Sequence, residues 1–138
     1  MRSCLSLSRT GFPLNCVMIK QAQASHGRII AIGTTVVRAL EHSAAMFGGI
    51  VPSGERLATQ RLGASSKLCI VDAILSGTHE RGTSHYELLR AFVDDETLGR
   101  IDQELNAHDY RTHEFGDSVF LERAASRTGH SAQPSVAA

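Results

Sequence analysis

Gly33, Thr34 and Thr35 stand between a dense apolar run, Arg28-Ile29-Ile30-Ala31-Ile32, and an amphipathic one, Val36-Val37-Arg38-Ala39-Leu40-Glu41. That order reads as a strand that ends, a glycine that turns the backbone, and a helix that begins. Such a turn aims the first unpaired amides of the helix, and the positive end of its dipole, at whatever lies beyond the strand end, where an anion is favoured. Two threonine hydroxyls add donors at the same spot. The junction is therefore a candidate substrate site. Helix capping by a threonine explains the same residues and is, from spacing alone, the simpler account.

The rest of the chain repeats this alternation. Residues 1–13 have no clear period and end in Gly11-Phe12-Pro13, as a loose lead-in would. Residues 15–25 suit a helix stopped by His26-Gly27, and 28–32 have the pattern of a buried strand. The helix after Gly33 should run to about Ala45 and end at Phe47-Gly48-Gly49. Residues 50–66 are weakly patterned, with short edge strands expected around 56–61. A second buried strand is expected over 67–75, with Asp72 inside it and Cys69 as a core residue. Thr83 or Ser84 can cap the next helix, Glu87 completing a capping box with Ser84, and Leu88, Leu89 and Phe92 form its buried face. A helix over 96–107 and a strand over 118–121 follow, and 124–138 has the composition of a disordered tail. Strands alternating with helices, without internal repeat, indicate an α/β layer.

Polar residues gather at the two strand ends, where open α/β sheets collect ligands. His79, between glycines after the second strand, suits acid–base chemistry near neutral pH, with Asp72 or Glu80 to orient it; the alternative is a loop histidine with no role. An acid inside an apolar strand must be paired, protonated or directed out of the sheet, and a structural hydrogen bond is the simplest account of Asp72. Glu114 and Asp117 flank Gly116 before the last strand and could accept hydrogen bonds from hydroxyl or ammonium groups, although Asp is also an ordinary turn residue.

Composition narrows the function. With 138 residues, 42% of them hydrophobic, the chain suits one domain with a moderate core. The 14 basic residues balance 14 acidic ones, so any contact with nucleic acid is local rather than the work of a global field. No apolar stretch approaches the roughly 20 residues that span a bilayer. Cys4, Cys16 and Cys69 are odd in number and lack CxxC spacing, which fits a cytoplasmic protein better than a disulfide scaffold. Seven histidines occur without HxH, HxxxH or HExxH spacing, so no metal site is expected, and neither GxGxxG nor a phosphate loop is present.

Three blocks carry a resemblance. Residues 27–41, then Val71-Asp72-Ala73-Ile74-Leu75 with His79, then Tyr110-Arg111 and Phe115-Gly116-Asp117-Ser118 are similar, in order and approximate spacing, to the C-terminal part of the S-adenosylmethionine:tRNA ribosyltransferase-isomerase family. The resemblance spans about residues 24–122. It implies a chain divided into a poorly matching lead-in (1–13), an α/β segment (14–123) and the tail (124–138), with a partial sheet flanked by helices drawn from the family's larger α/β domain. It also implies transfer and isomerisation of the ribosyl group of S-adenosylmethionine onto 7-aminomethyl-7-deazaguanine in tRNA, giving epoxyqueuosine. S-adenosylmethionine is then a substrate, and no permanently bound cofactor is implied.

On this resemblance Gly33, Thr34, Thr35 and Arg38 line the substrate pocket, their amides and guanidinium suited to an anionic group. His79 and Asp72 serve proton transfer or its orientation, Thr83 and Ser84 bind substrate, and Glu114 and Asp117 hold the sugar or the aminomethyl group. A sulfonium acidifies the adjacent ribose carbon, so a base of near-neutral pKa can start the reaction. The chain departs from the family where its usual Asn-Phe-His-x-Pro loop reads Gly77-Thr78-His79-Glu80-Arg81, and where Thr83-Ser84 replaces Ser-Thr. Family members are more than twice as long, and their N-terminal portion and inserted barrel have no counterpart here. The expectation is a segment with exposed apolar faces and an incomplete pocket, completed by the missing portion, or else a noncatalytic nucleotide-, RNA- or protein-binding module.

Overall fold

The computed structural model describes residues 14–52, 58–110 and 116–124. The lead-in, Glu114, residues 56 and 57 of the expected edge-strand stretch and the tail beyond Ala124 lie outside them. In chain order the elements are α1 (Leu14–Ala24), β1 (Ile30–Ile32), α2 (Thr34–Met46), β2 (Ala73–Gly77), α3 (Ser84–Leu89), α4 (Asp95–Ala107) and β3 (Ser118–Glu122). The strands form a mixed sheet in the order β1-β2-β3, with β1 parallel and β3 antiparallel to β2. This is the α/β architecture expected from the alternation. Residues 58–61 have no regular structure.

α1 closes as its sequence suggests, with His26 at φ +56° and the Gly27 amide donating to the Ala22 carbonyl at 2.7 Å. α2 begins immediately after β1 because Gly33 adopts φ +88°, a conformation side-chain-bearing residues rarely hold. α4 is capped by Asp94, whose carboxylate accepts the Thr97 amide at 2.8 Å. Hydrogen bonds from Thr97 hold that carboxyl below its ordinary range. Arg90 then ties the end of α3 to the start of α4, donating to Glu87 at 2.8 Å and to Asp95 at 2.9 Å.

The core lies between one face of the sheet and the helices, around Val37, Val71, Ile74 and Leu88, all fully buried. Leu89, Phe92, Leu98 and Leu121 pack with them. The other face is largely bare among the described residues, Ala73 being the buried position on it. There β1 exposes Ile30 and Ile32, β2 exposes Leu75 and β3 exposes Phe120. The register sets Ile32 beside Leu75 and Leu75 beside Phe120, so their side chains form one apolar row. The expectation that β1 is buried on both faces is thus corrected: its dense apolar sequence finds a covering layer on one side only.

The expected strand over 67–75 is also corrected. Regular pairing starts at Ala73, because residues 69–71 do something a strand cannot. In a strand, successive backbone amides point in opposite directions. Here the amides of Cys69, Ile70 and Val71 all converge on the carboxylate of Glu41, at 2.7, 2.8 and 2.8 Å. Glu41 is itself only 3% exposed, on the inner face of α2. This bend buries Leu68, Ile70 and Val71 and turns Cys69 outward, so Cys69 is an exposed cysteine rather than a core residue.

Candidate active site

Three chain segments meet at one end of the sheet. β1 ends at Gly33, β2 ends in Gly77-Thr78-His79, and β3 starts opposite, with Ser118 in register with Gly77. Antiparallel entry of β3 therefore places Asp117 at the same end as Gly33 and His79. This is the carboxyl end of the two parallel strands, the position in which α/β sheets collect ligands.

The threonines do not cap α2. Its N-cap is Gly33, which has no side chain to do so. Thr34 is buried, and its hydroxyl lies 2.7 Å from Nδ1 of His85, in the first turn of α3. Thr35 is exposed beside it. One turn along α2, Arg38 reaches the same helix, donating from Nη2 to the Ser84 carbonyl at 2.9 Å. Its Nε is buried with no hydrogen-bond partner among the described residues. Thus α2 and α3, which sequence treats as separate, share a polar seam at their N-termini.

His79 sits on that seam. Its ring stacks on His85 with centroids 4.6 Å apart and planes 25° apart, and its Nε2 lies 3.5 Å from the hydroxyl of buried Ser76. Burial first, and then the positive charge of Arg38, push His85 below the ordinary histidine range, so its ring is neutral near pH 7. His79 also borders a shallow groove of about 210 Å³ lined with Thr78, Glu80, Arg81, Asp102 and Asn106. Sequence reasoning did not select His85 or Ser76. The available signal was the pairing of a loop histidine, His79, with His85 at the following helix start. No third His, Cys, Asp or Glu joins them in a metal-holding group among the described residues.

Thr83 and Ser84 are held by their local structure. Thr83, rather than Ser84, caps α3, accepting the Tyr86 amide at 3.2 Å and donating to the Glu80 carbonyl at 2.8 Å. The expected box from Ser84 to Glu87 does not form: Glu87 turns to Arg90, and Ser84 contributes its carbonyl to Arg38.

Asp72 is not brought to His79. It precedes β2, so the whole of Ala73–Gly77, about 16 Å of extended chain, separates them. Its Oδ2 accepts the Ile29 amide at 2.9 Å and its Oδ1 accepts Arg123 Nη2 at 2.7 Å. Its backbone bonds both neighbours as well, its amide donating to Ile29 and its carbonyl accepting from Arg123. The structural hydrogen bond that was the simplest account of Asp72 is what forms, a pin across all three strands at the far end of the sheet, in place of a pairing with His79. Arg28 and Glu122 pair at that same end.

The fold and the seam define a small α/β segment whose polar side chains converge beyond parallel strand ends. Comparison with known proteins makes this specific: residues 13–121 match the model of the family described as queuosine biosynthesis protein, and the chain belongs to that family. It is 39% identical over 108 residues to an S-adenosylmethionine:tRNA ribosyltransferase-isomerase of Chlorobaculum parvum, covering 75% of this chain and 31% of the relative. An enzyme of the same name from Francisella philomiragia is 37% identical over 107 residues, covering 77% and 31%. In structure the chain is similar to the S-adenosylmethionine tRNA ribosyltransferase of Thermotoga maritima, with a TM-score of 0.68 at 22% identity, over 79% of this chain and 38% of that one. The chain thus spans about a third of the length of the curated relatives it matches. No helix among the described residues is long and apolar enough to cross a membrane.

Proposed function

We propose that this chain supplies one wall of a pocket for ribosyl transfer from S-adenosylmethionine to the 7-aminomethyl-7-deazaguanine base of tRNA. The observation that carries the reading is the convergence of Gly33, Thr34, Arg38 and His79 at the carboxyl end of β1 and β2, in a chain of this family. His79 is the proton-transfer residue. It borders the groove and stacks on the neutral His85 ring, which Thr34 holds. The neutral His85 ring adds no positive charge to its stacked partner, and imidazole is the side chain suited to moving a proton near pH 7.

The exposed Thr35, the start of α2 and the guanidinium charge of half-buried Arg38 are suited to a carboxylate or phosphate of the substrates. Thr83 acts by fixing the loop in which His79 lies, Ser84 by holding Arg38, and Asp117 lies at the same end of the sheet, a carboxylate suited to a hydrogen bond from a sugar hydroxyl or an amine. Asp72 contributes by holding the strands rather than by moving a proton. The protein is read as cytoplasmic, with no permanently bound cofactor.

The test is adenine release from S-adenosylmethionine in the presence of tRNA bearing the aminomethyl base. The chain alone is expected to release little or none. A hybrid in which its residues 24–122 replace the matched segment of the Chlorobaculum parvum relative is expected to turn over, and His79→Ala in that hybrid to cut turnover by roughly two orders of magnitude or more. Equal turnover with and without His79 would refute the assignment. The altered loop around His79 favours a second reading, a noncatalytic module, which predicts an inactive hybrid that still binds tRNA.

A further inference from the structure

The uncovered sheet face and the outer edge of β1 belong together. Ile32 is 73% exposed, Ile30 51%, Phe120 48% and Leu75 37%, although β1, Ile-Ala-Ile, is apolar on both sides. β1 bonds β2 through the odd-numbered positions, the Ile29 carbonyl accepting from Ala73 and the Gly33 amide donating to Leu75. Backbone alternation therefore points the amides and carbonyls of Ile30 and Ile32 away from the sheet. An edge of this kind is ordinarily blunted by charge, proline or a bulge, and residues 30–32 have none of these. The open edge and the apolar row share Ile32, whose next residue is Gly33 of the candidate site.

We propose that this surface seats a polypeptide corresponding to the rest of the family fold, which adds a strand along β1 and an apolar layer over Ile30, Ile32, Leu75 and Phe120. The inference rests on the family reading above. The argument for this occupant is one of extent: the matched relatives are about three times as long as the segment they share with this chain, and the structural relative likewise has most of its length outside the match. A polypeptide seated on Ile32 and Leu75 stands next to Gly33 and Thr34, so the same seat provides the opposite wall of the pocket.

The test mixes the full chain with a polypeptide of the Chlorobaculum parvum relative from which the matched segment has been removed. Light scattering should show a one-to-one complex, and hydrogen exchange at the amides of Ile30 and Ile32 should slow on mixing. Ile32→Asp and Phe120→Asp should each weaken the complex by about tenfold or more, with far-UV melts of the isolated variants matching the parent because both side chains are already exposed. Failure to form a complex overturns the proposal. So does a complex in which both amides still exchange freely, one unaffected by both variants, or self-association of the chain that protects the same amides. Because binding is read without turnover, a complex that forms but releases no adenine counts against the enzymatic reading and leaves the seat standing.

Discussion

Replacing Glu41 should damage this protein more than its position in a helix suggests. The carboxylate accepts three backbone amides at 2.7–2.8 Å, and Ile70 and Val71, which supply two of them, are buried. A hydrogen bond to a charged acceptor contributes about 1.5–3 kcal/mol, and a buried donor left unpaired costs about 1–3 kcal/mol. Removing the carboxylate also removes its own burial penalty, several kcal/mol of opposite sign. The balance for Glu41→Ala is a loss of about 3–5 kcal/mol. Glu41→Gln keeps one acceptor oxygen but sets an amide group where the other stood, and should lose about 2 kcal/mol. A domain of roughly 100 residues has only about 5–15 kcal/mol in total, so the alanine variant should lie close to unfolding.

Urea titration followed by far-UV circular dichroism measures both losses, and amide exchange at residues 69–71 locates them. A loss below about 1 kcal/mol for Glu41→Ala, or exchange at these amides unchanged from the parent, would refute the view that this carboxylate shapes the entry to β2.

Acidification should destabilise the fold through His85. Its folded pKa is depressed, so below about 6.5 the unfolded chain binds a proton that the folded chain resists. Stability should fall as pH drops from about 6.5 toward the folded value and then level off; His85→Phe should remove that part of the pH dependence in denaturation curves, and an unchanged slope would count against it. Asp72→Asn should lower stability by about 1–3 kcal/mol through its bonds to Ile29 and Arg123. In the active hybrid this variant should leave the pH profile of turnover in place, and a shifted profile would return Asp72 to the proton path.

Much of the frame was legible in the sequence, and the reasons are local. Gly33 between an apolar run and an amphipathic one specified the strand-to-helix turn, because few residues other than glycine hold φ +88°. Gly27 after His26 specified the end of α1. Each is a feature in which a residue meets its own neighbours in the chain. The errors arose where the deciding partner was distant. The apolar stretch 67–72 has a strand's composition, and what bends it is Glu41, 28 to 30 residues earlier. Asp72 looked like a companion for His79 because they are seven residues apart, whereas its partners are 43 and 51 residues away.

By itself the sequence determined the order of strands and helices, the family, and the placing of Gly33 and His79 after strands that end in polar loops. Backbone propensity and hydrophobic period are short-range properties, readable within a few residues. Only the tertiary structure decided what faces what: that Thr34 turns from capping to hold His85, that His85 stacks on His79, and that Asp72 pins the opposite end of the sheet. It also decided that one sheet face stays bare, since apolar composition states a need for burial without naming the surface that meets it. Ile30, Ile32, Leu75 and Phe120 carry that need, and among the described residues they stay 37–73% exposed.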